Sequence, residues 1–405
     1  MNLAEMLCYA DIADLTRIAD AYGCDCSSHS KNELIQSILA TVQRRDVVES
    51  TIGEISGDDL RFLNSLLFES RTAYSLEELK ARAASGEAGK SAAGSSAVAE
   101  TASGAGKAEK PKPRSKKAAA ALRSQPAEPV DSARAAIMKF KKYGWLFNGF
   151  SQQTRMMFQV PEDVKTRLRE ALEKRYRASL VSSDEPMVYR DERSLFSEDV
   201  AHFLRFVRDH EPPLTAEGVM YKRHIGQALE LMSVRETAPS RGGWRFGYGR
   251  HFRDYPDRFS LVYDFAYFEG YVAEVPDRLV LTAEGRDAAD RFAKPEPLRP
   301  YRFWLRLYRG PIPNLAALVQ WIVRLSADWV TVDSLFGILQ PLVRPYYYDT
   351  PRDVLERRIL TMLVHLGVLR WGQTPEGSQV VKTTPQGPTL AAGQALELDE
   401  PIDIG

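Results

Sequence analysis

The chain has 405 residues, 44% of them apolar and 27% charged, with 54 Lys plus Arg against 54 Asp plus Glu. That length exceeds one ordinary core and predicts two or three folded units, and zero net charge excludes a global pull on a polyanion, so attraction to phosphate must be local. No apolar run reaches the roughly 20 residues of a transmembrane helix, the start MNLAEMLCYADIADL is acidic, and the cysteines are only Cys8, Cys24 and Cys26; these features predict a cytoplasmic protein without a disulfide framework.

Residues 10 to 41 read as two short helices around a turn, with Leu15, Ile18 and Ala19, then Leu34, Ile35, Ile38 and Leu39, at helical spacing. Ser30 with Glu33 three residues on predicts a capping box, in which each side chain satisfies a free backbone donor. Cys24, Cys26 and His29 fit no common zinc spacing and have no fourth ligand nearby, which favours ordinary helix-boundary residues over a metal site. The helix, turn, SKxELI, helix order resembles the SAP and Rho-N-terminal type of small nucleic-acid-binding motif, which over residues 1–45 implies a contact at Lys31. Plain packing of a helical hairpin is the other reading.

Next, SGDDLRFLNSLLFES predicts an amphipathic helix with an acidic first turn, and SLEELKARAA a second helix opened by Ser75. Residues 85–131 then turn to Ala, Gly, Ser, Lys and Pro without an aromatic, the composition of a disordered linker. Its KAEKPKPRSKK sets six basic side chains against one glutamate; it serves as a solubilising tether or as a grip on phosphates. DSARAAIMKFKKYGWLF and TRMMFQVPEDV come after it as a third helix and two strands. Three helices and a hairpin make a winged helix over 46–84 plus 132–190, with the linker as an insertion that loop entropy tolerates.

A second unit, 191–295, has the helix LFSEDVAHFLRFVRDH, a further helix opened by Tyr221, Lys222 and Arg223, and a helix running into YVAEV, the turn PDR and LVLT, with Thr282 capping one more helix. A third, 296–390, repeats helix, helix, helix, strand and strand, and 391–405 reads as an acidic tail. The phrases FEGYVAEVPDRLVLTAEGR and HLGVLRWGQTPEGSQVVKTTPQG share one ending, a Thr-x-x-Gly after the second strand, and form the strongest internal repeat. The fold class expected is mainly α with small β wings (α+β): tandem winged-helix modules joined by a disordered linker.

The phrases LTAEGVMYKRHIGQALELM, YVAEVPDRLVLTAEGR and YGWLFNGFSQQTRMMFQVPEDV resemble bacterial helicase-associated proteins whose winged-helix repeats are related to the N-terminal region of XPB-type helicases. The resemblance covers about residues 130 to 390 and implies a partner of a helicase or other DNA-processing complex. The chain lacks the G-x-x-x-x-G-K-[ST] loop that cradles ATP phosphates, so it is not read as the motor itself.

The richest candidate contact is RGGWRFGYGRHFRDYPDRF, where Arg241, Arg245, Arg250, Arg253 and Arg258 alternate with Trp244, Phe246, Tyr248, Phe252 and Tyr255. Cations that neutralise phosphate and rings that stack on bases are the two parts of single-strand binding; the competing reading packs the rings on the second unit and pairs the arginines with its acids. Third helices of winged helices usually enter the major groove, which points to Lys139, Lys141 and Lys142, and to Arg352, Arg357 and Arg358. PYYYDTPRD is a further aromatic loop, read as a packing element or a partner-binding patch. No catalytic or cofactor motif is present: His202, His210 and His224 lack a ligand pattern, and Asp254, Asp257 and Asp264 carry no nuclease motif. The expected function is therefore a DNA-binding accessory protein without catalysis or cofactor, and the alternative is a protein adaptor that never touches nucleic acid.

Overall fold

Four short helices open the chain, each starting where a polar side chain can satisfy free backbone donors or where a turn ends: α1 Leu3–Tyr9, α2 Ile12–Ala21, α3 Lys31–Val42 and α4 Arg45–Gly53. Asn2 and Glu5 form a full capping box on α1, and Asp11 accepts the Asp14 N–H on α2. At Ser30 half of the expected box forms, the Glu33 N–H donating to Oγ at 3.4 Å. The computed structural model describes residues 1–24, 30–69, 71, 73–84, 129–151, 153–239, 249–291 and 297–393, the side chains of 129–132 and 290–291 excepted. The expectations for Cys26 and His29, for residues 85–128 and for the last part of the acidic tail lie outside the described residues.

Among the described residues the chain is mainly helical with small antiparallel sheets. One order of elements occurs three times. In the first repeat it is α5 Gly57–Leu67, β1 Tyr74–Ser75, α6 Leu76–Ala84, α7 Pro129–Lys142, β2 Phe147–Asn148, β3 Met157–Gln159 and α8 Glu162–Ala178. The strands lie in the order β1-β3-β2, so the first strand pairs with the last. Helix α7 begins at Pro129, inside the stretch that composition assigned to the linker, and it packs closely on α6. Helix α8, which the sequence reading did not anticipate, covers α4 and contacts α1. The opening helices are thus not a free hairpin: α2 packs on α7, Tyr22 donates its hydroxyl to the Tyr143 carbonyl at 2.9 Å, and the Leu3 N–H donates to Asp163 at 2.8 Å.

After β4 Val188–Arg190, the second repeat runs α9 Leu195–His210, α10 Lys222–Leu231, α11 Asp257–Phe268, β5 Val272–Val275, β6 Arg278–Leu281 and α12 Ala283–Arg291. Its first strand shrinks to a bridge, with the Leu214 N–H donating to Asp277 and the Leu279 N–H to Pro212, both at 2.9 Å. α13 Leu298–Arg309 intervenes. The third repeat is α14 Leu315–Leu325, β7 Val330–Thr331, α15 Val332–Leu339, a continuous helical run of α16 Pro351–Asp353, a π-turn segment Val354–Leu360 and α17 Thr361–His365, then β8 Leu369–Gln373, β9 Gln379–Thr383 and α18 Gly387–Ala392. Its sheet is β4-β8-β9-β7, so β4, assigned from sequence to the first unit, serves as the edge of the third. The first two residues of the expected tail, Ala391 and Ala392, finish α18, and Gly393 is its C-cap.

The repeats close their third helices in the same way. Gly144, Gly270 and Gly367 have φ of 63°, 73° and 71°, the left-handed conformation that only glycine adopts without a Cβ penalty. The next residue in each case sends its N–H back to a carbonyl in the last turn: Trp145 to Phe140 at 2.9 Å, Tyr271 to Ala266 at 2.8 Å and Val368 to Leu363 at 2.8 Å. The Thr-x-x-Gly ending has a matching geometry. Thr282 and Thr384 donate their hydroxyls to Gly270 and Gly367 at 2.7 Å, and a Cβ on Gly285 or Gly387 would come within 2.0 Å or 2.9 Å of the Tyr271 or Val368 carbonyl oxygen.

The repeats share one continuous apolar core. Asn64 of α5 accepts the buried Trp321 indole N–H of α14 at 2.6 Å, joining the first repeat to the third. Between the second and third lies a buried ionic cluster: Arg258 of α11 pairs with Glu192 at 3.3 Å and with Asp199, and Glu192 accepts His365 Nδ1–H at 2.9 Å. Burial raises the Glu192 carboxyl, but His365, Arg258 and Arg190 outweigh it and hold the group at about 2. Burial pushes His365 below its usual value, and Glu192 opposes that shift.

Candidate functional site

In sequence the arginine and aromatic loop joins α10 to α11, and residues 249–255 are its described end. Tyr255 is fully buried and its hydroxyl accepts the Met220 N–H at 3.0 Å, tying the end of the loop to the start of α10. There Tyr221, 52% exposed, and the exposed Lys222 and Arg223 form the helix's first turn. The structure therefore ties the Tyr-Lys-Arg phrase to the described end of the loop.

Beneath them a set of buried polar groups fixes the backbone. Gly249 has φ of 147°, and a Cβ there would lie 1.8 Å from Asp264 Oδ2, so glycine is required. The Arg250 N–H donates to Asp264 Oδ1 at 3.2 Å. Asp264 is wholly buried, its Oδ2 has no hydrogen-bond partner among the described residues, and burial pushes its carboxyl up to about 7. Glu274 on β5 accepts from Arg250 at 2.7 Å, from the Tyr263 hydroxyl at 2.8 Å and from His251 at 3.3 Å. Burial would raise Glu274, but the His251 and Tyr263 hydrogen bonds and the Arg250 charge keep it below the usual carboxylate range. The Arg250 guanidinium also lies 4.3 Å from the Tyr267 ring centroid, and that of Arg253, exposed to solvent, 5.6 Å from Phe252.

Chemically this arrangement is a clamp with a cationic rim. Its acids are spent on holding backbone and neighbouring side chains, and among the described residues no group of three or more His, Cys, Asp or Glu is set to hold a metal ion. Arg241, Trp244, Arg245, Tyr248 and Phe246 lie outside the described residues. Two members of the sequence pattern are corrected: Tyr255 and Arg258 belong to the core, Tyr255 tied to the Met220 N–H just before α11 and Arg258, 1% exposed, on the inward face of α11, which begins at Asp257.

The other candidates are dispersed. Lys31 donates to the Cys8 carbonyl at 2.8 Å. On α7, Lys139 pairs with Asp59 at 2.9 Å, Lys141 is half-buried and Lys142 exposed. Arg352 pairs with Asp333 and Glu356, and Arg357, 68% exposed, with Asp353 at 3.5 Å. Arg358 is corrected from a groove contact to an internal one: it is 5% exposed and pairs with Asp349 at 2.8 Å. Its position in the π-turn segment faces the core, where burial lowers its affinity for a proton but Asp349 and Asp257 more than restore it.

Sequence reasoning missed Gly249, His251 and Glu274, and named Asp264 only among acids without a nuclease motif, not for its place under the loop. One signal was present: Asp264 is a lone acid in the apolar run LVYDFAYF, and an acid in such a run must find donors or hold its proton. Comparison with family models, curated proteins and solved structures finds no match for this chain. No helix among the described residues is long and apolar enough to cross a membrane.

Proposed function

We propose that this chain is a non-catalytic DNA-binding accessory protein, that its three repeats are winged helices, and that the second supplies the principal contact. The observation that carries the reading is the Tyr255 to Met220 hydrogen bond, which ties the end of the loop, with the exposed Arg253, to the start of α10, where Lys222 and Arg223 are exposed. Cations on a rigid base, next to a loop rich in rings and glycine, supply charge neutralisation and stacking together. Their local concentration answers the neutral net charge of the whole. In this reading the chain accompanies a helicase or similar enzyme and performs no chemistry of its own.

The test is a fluorescence-anisotropy titration of single-stranded and duplex DNA at several salt concentrations. Replacing Lys222, Arg223 and Arg253 together by alanine removes up to three phosphate contacts and flattens the single-strand salt dependence by about two units of slope. Trp244→Ala weakens binding by about 1 to 3 kcal/mol and leaves the slope in place. Absence of salt-dependent binding by the wild type near physiological ionic strength ends this proposal.

One observation favours the second reading, a protein adaptor. Helix α11 and the run from Val354 to His365 are buried along most of their length, so neither can enter a groove as third helices of winged helices usually do. Under that reading the same titration shows no binding, and a protein partner co-purifies.

A further inference from the structure

The aromatic loop before α16 is a built turn. Tyr346 donates its N–H to the Asp349 carbonyl at 3.0 Å and Asp349 returns one to Tyr346 at 2.9 Å, leaving Tyr347 and Tyr348 as a two-residue tip. Tyr347 has φ of 50°, a left-handed conformation that glycine or asparagine takes more cheaply. The rings gain little burial in return, since Tyr347 is 77% and Tyr348 74% exposed. Tyr347 meets the Tyr346 ring edge-on with centroids 4.8 Å apart, yet both tip rings keep most of their surface in solvent, and strain held in place there points to a use for them.

The groups that hold the tip also locate it. Asp349 accepts from Arg358 Nε at 2.8 Å, and Arg358 Nη1 reaches Asp257 Oδ1 at 3.5 Å. Asp257 begins α11, two residues after Tyr255 ends the loop. One buried guanidinium therefore spans the bases of the tyrosine turn and of the arginine and aromatic loop. Arg344, three residues before Tyr347, has no ion pair or hydrogen bond among the described residues. It is half-buried, and burial and then the like charge of Arg61, partly offset by Asp58, hold its guanidinium below its usual range. Arg61 is fixed nearby by a 2.6 Å bond to the Pro341 carbonyl. A guanidinium beside a like charge and without its own carboxylate suits an anion with several oxygens, such as a phosphate.

We propose that the Tyr347–Tyr348 turn is a second contact of the same interface, stacking on the bases of a single-stranded nucleic acid while Arg344 meets its phosphate. The inference rests on the reading of the chain as a nucleic-acid-binding protein. Single strands are the ligand because a duplex keeps its base faces covered, whereas an unpaired base offers a face to any exposed ring. Arg358 is a positioning residue in this arrangement.

The probe is a fluorescein-labelled oligothymidylate of about 16 nucleotides, the upper end of an ordinary single-strand site. Tyr347→Gly removes a ring and relieves the left-handed strain together. It is expected to weaken binding about tenfold while the melting temperature stays level or rises; a ring needed only for packing would lower the melting temperature and leave affinity alone. Tyr348→Ala is expected to weaken binding similarly, and Arg344→Gln to reduce the salt slope by about 0.7. Wild-type affinity in both tyrosine variants, with binding lost in the Lys222, Arg223 and Arg253 variant, overturns this inference and leaves the proposed function standing. If the wild type does not bind the oligothymidylate, this inference falls, and the proposed function stands or falls on the duplex titration.

Discussion

Helices α7 and α11 hold the same place in successive repeats and end on the same left-handed glycine, yet they differ in the surface they can offer a ligand. α7 buries Ala133, Ile137 and Phe140 on one stripe and leaves Arg134, Ala135, Met138 and Lys142 exposed. α11 is buried without a break from Arg258 to Ala266, with α9 and α13 against it and the charges of the second and third repeats meeting at its first turn. Position in a repeat thus decides how a helix is closed, and its neighbours decide whether it remains a surface. In the second repeat Lys222 and Arg223 at the start of α10 and Arg253 near the end of the loop are exposed.

The contrast is sharpest at Arg258. Arg258→Ala leaves Glu192 and Asp199 buried without their cation, and urea denaturation should show a loss of about 3 to 5 kcal/mol. The corresponding truncation on the exposed side of α7, Met138→Ala, should stay within about 0.5 kcal/mol. Equal costs at the two sites would erase the distinction between an internal and a surface third helix.

A smaller effect separates two acids that bear on α11. Asp264 titrates at about 7 in the folded chain against 3.8 ordinarily, so between those values the native state holds a proton that the unfolded state has lost. Its contribution to stability therefore falls as pH rises from about 4 to about 7, by an amount on the order of a few kcal/mol. Glu192 has the opposite sign: its contribution is complete above its ordinary 4.5 and is lost as pH falls towards about 2. Asp264→Asn should flatten the decline between pH 4 and 7 in a series of melting curves and leave the acid limb unchanged. A decline that persists in the variant would mean that another group carries it.

Much of the repeat was legible because it is local chemistry. Ser75 and Thr282 cap the helices expected of them, and the Gly270 and Gly367 endings come from phrases visible in the sequence. The long helix α8 carries its apolar stripe, Val164, Leu168, Leu172 and Tyr176, among so many charges that it escaped notice. β4 was misassigned because three residues, all exposed, give no periodicity, and only pairing with β8 defines them as a strand. The loop was legible as a composition but not as a structure. Nothing in RDYPDRF marks where solvent-facing residues give way to α11, so Arg258 looked like one more cation, and Glu274 reaches Arg250 from 24 residues away. Tyr347 and Tyr348 were visible, but the strain that singles them out belongs to the backbone.

The most direct measurement is the site of photo-crosslinking to a single-stranded oligonucleotide carrying 4-thiothymidine, mapped by mass spectrometry of the digested full-length chain. The account predicts crosslinks within residues 241–255 and at Tyr347 or Tyr348, with little labelling of α7. Crosslinks confined to α7 and the opening helices, or none above a non-irradiated control, would contradict it.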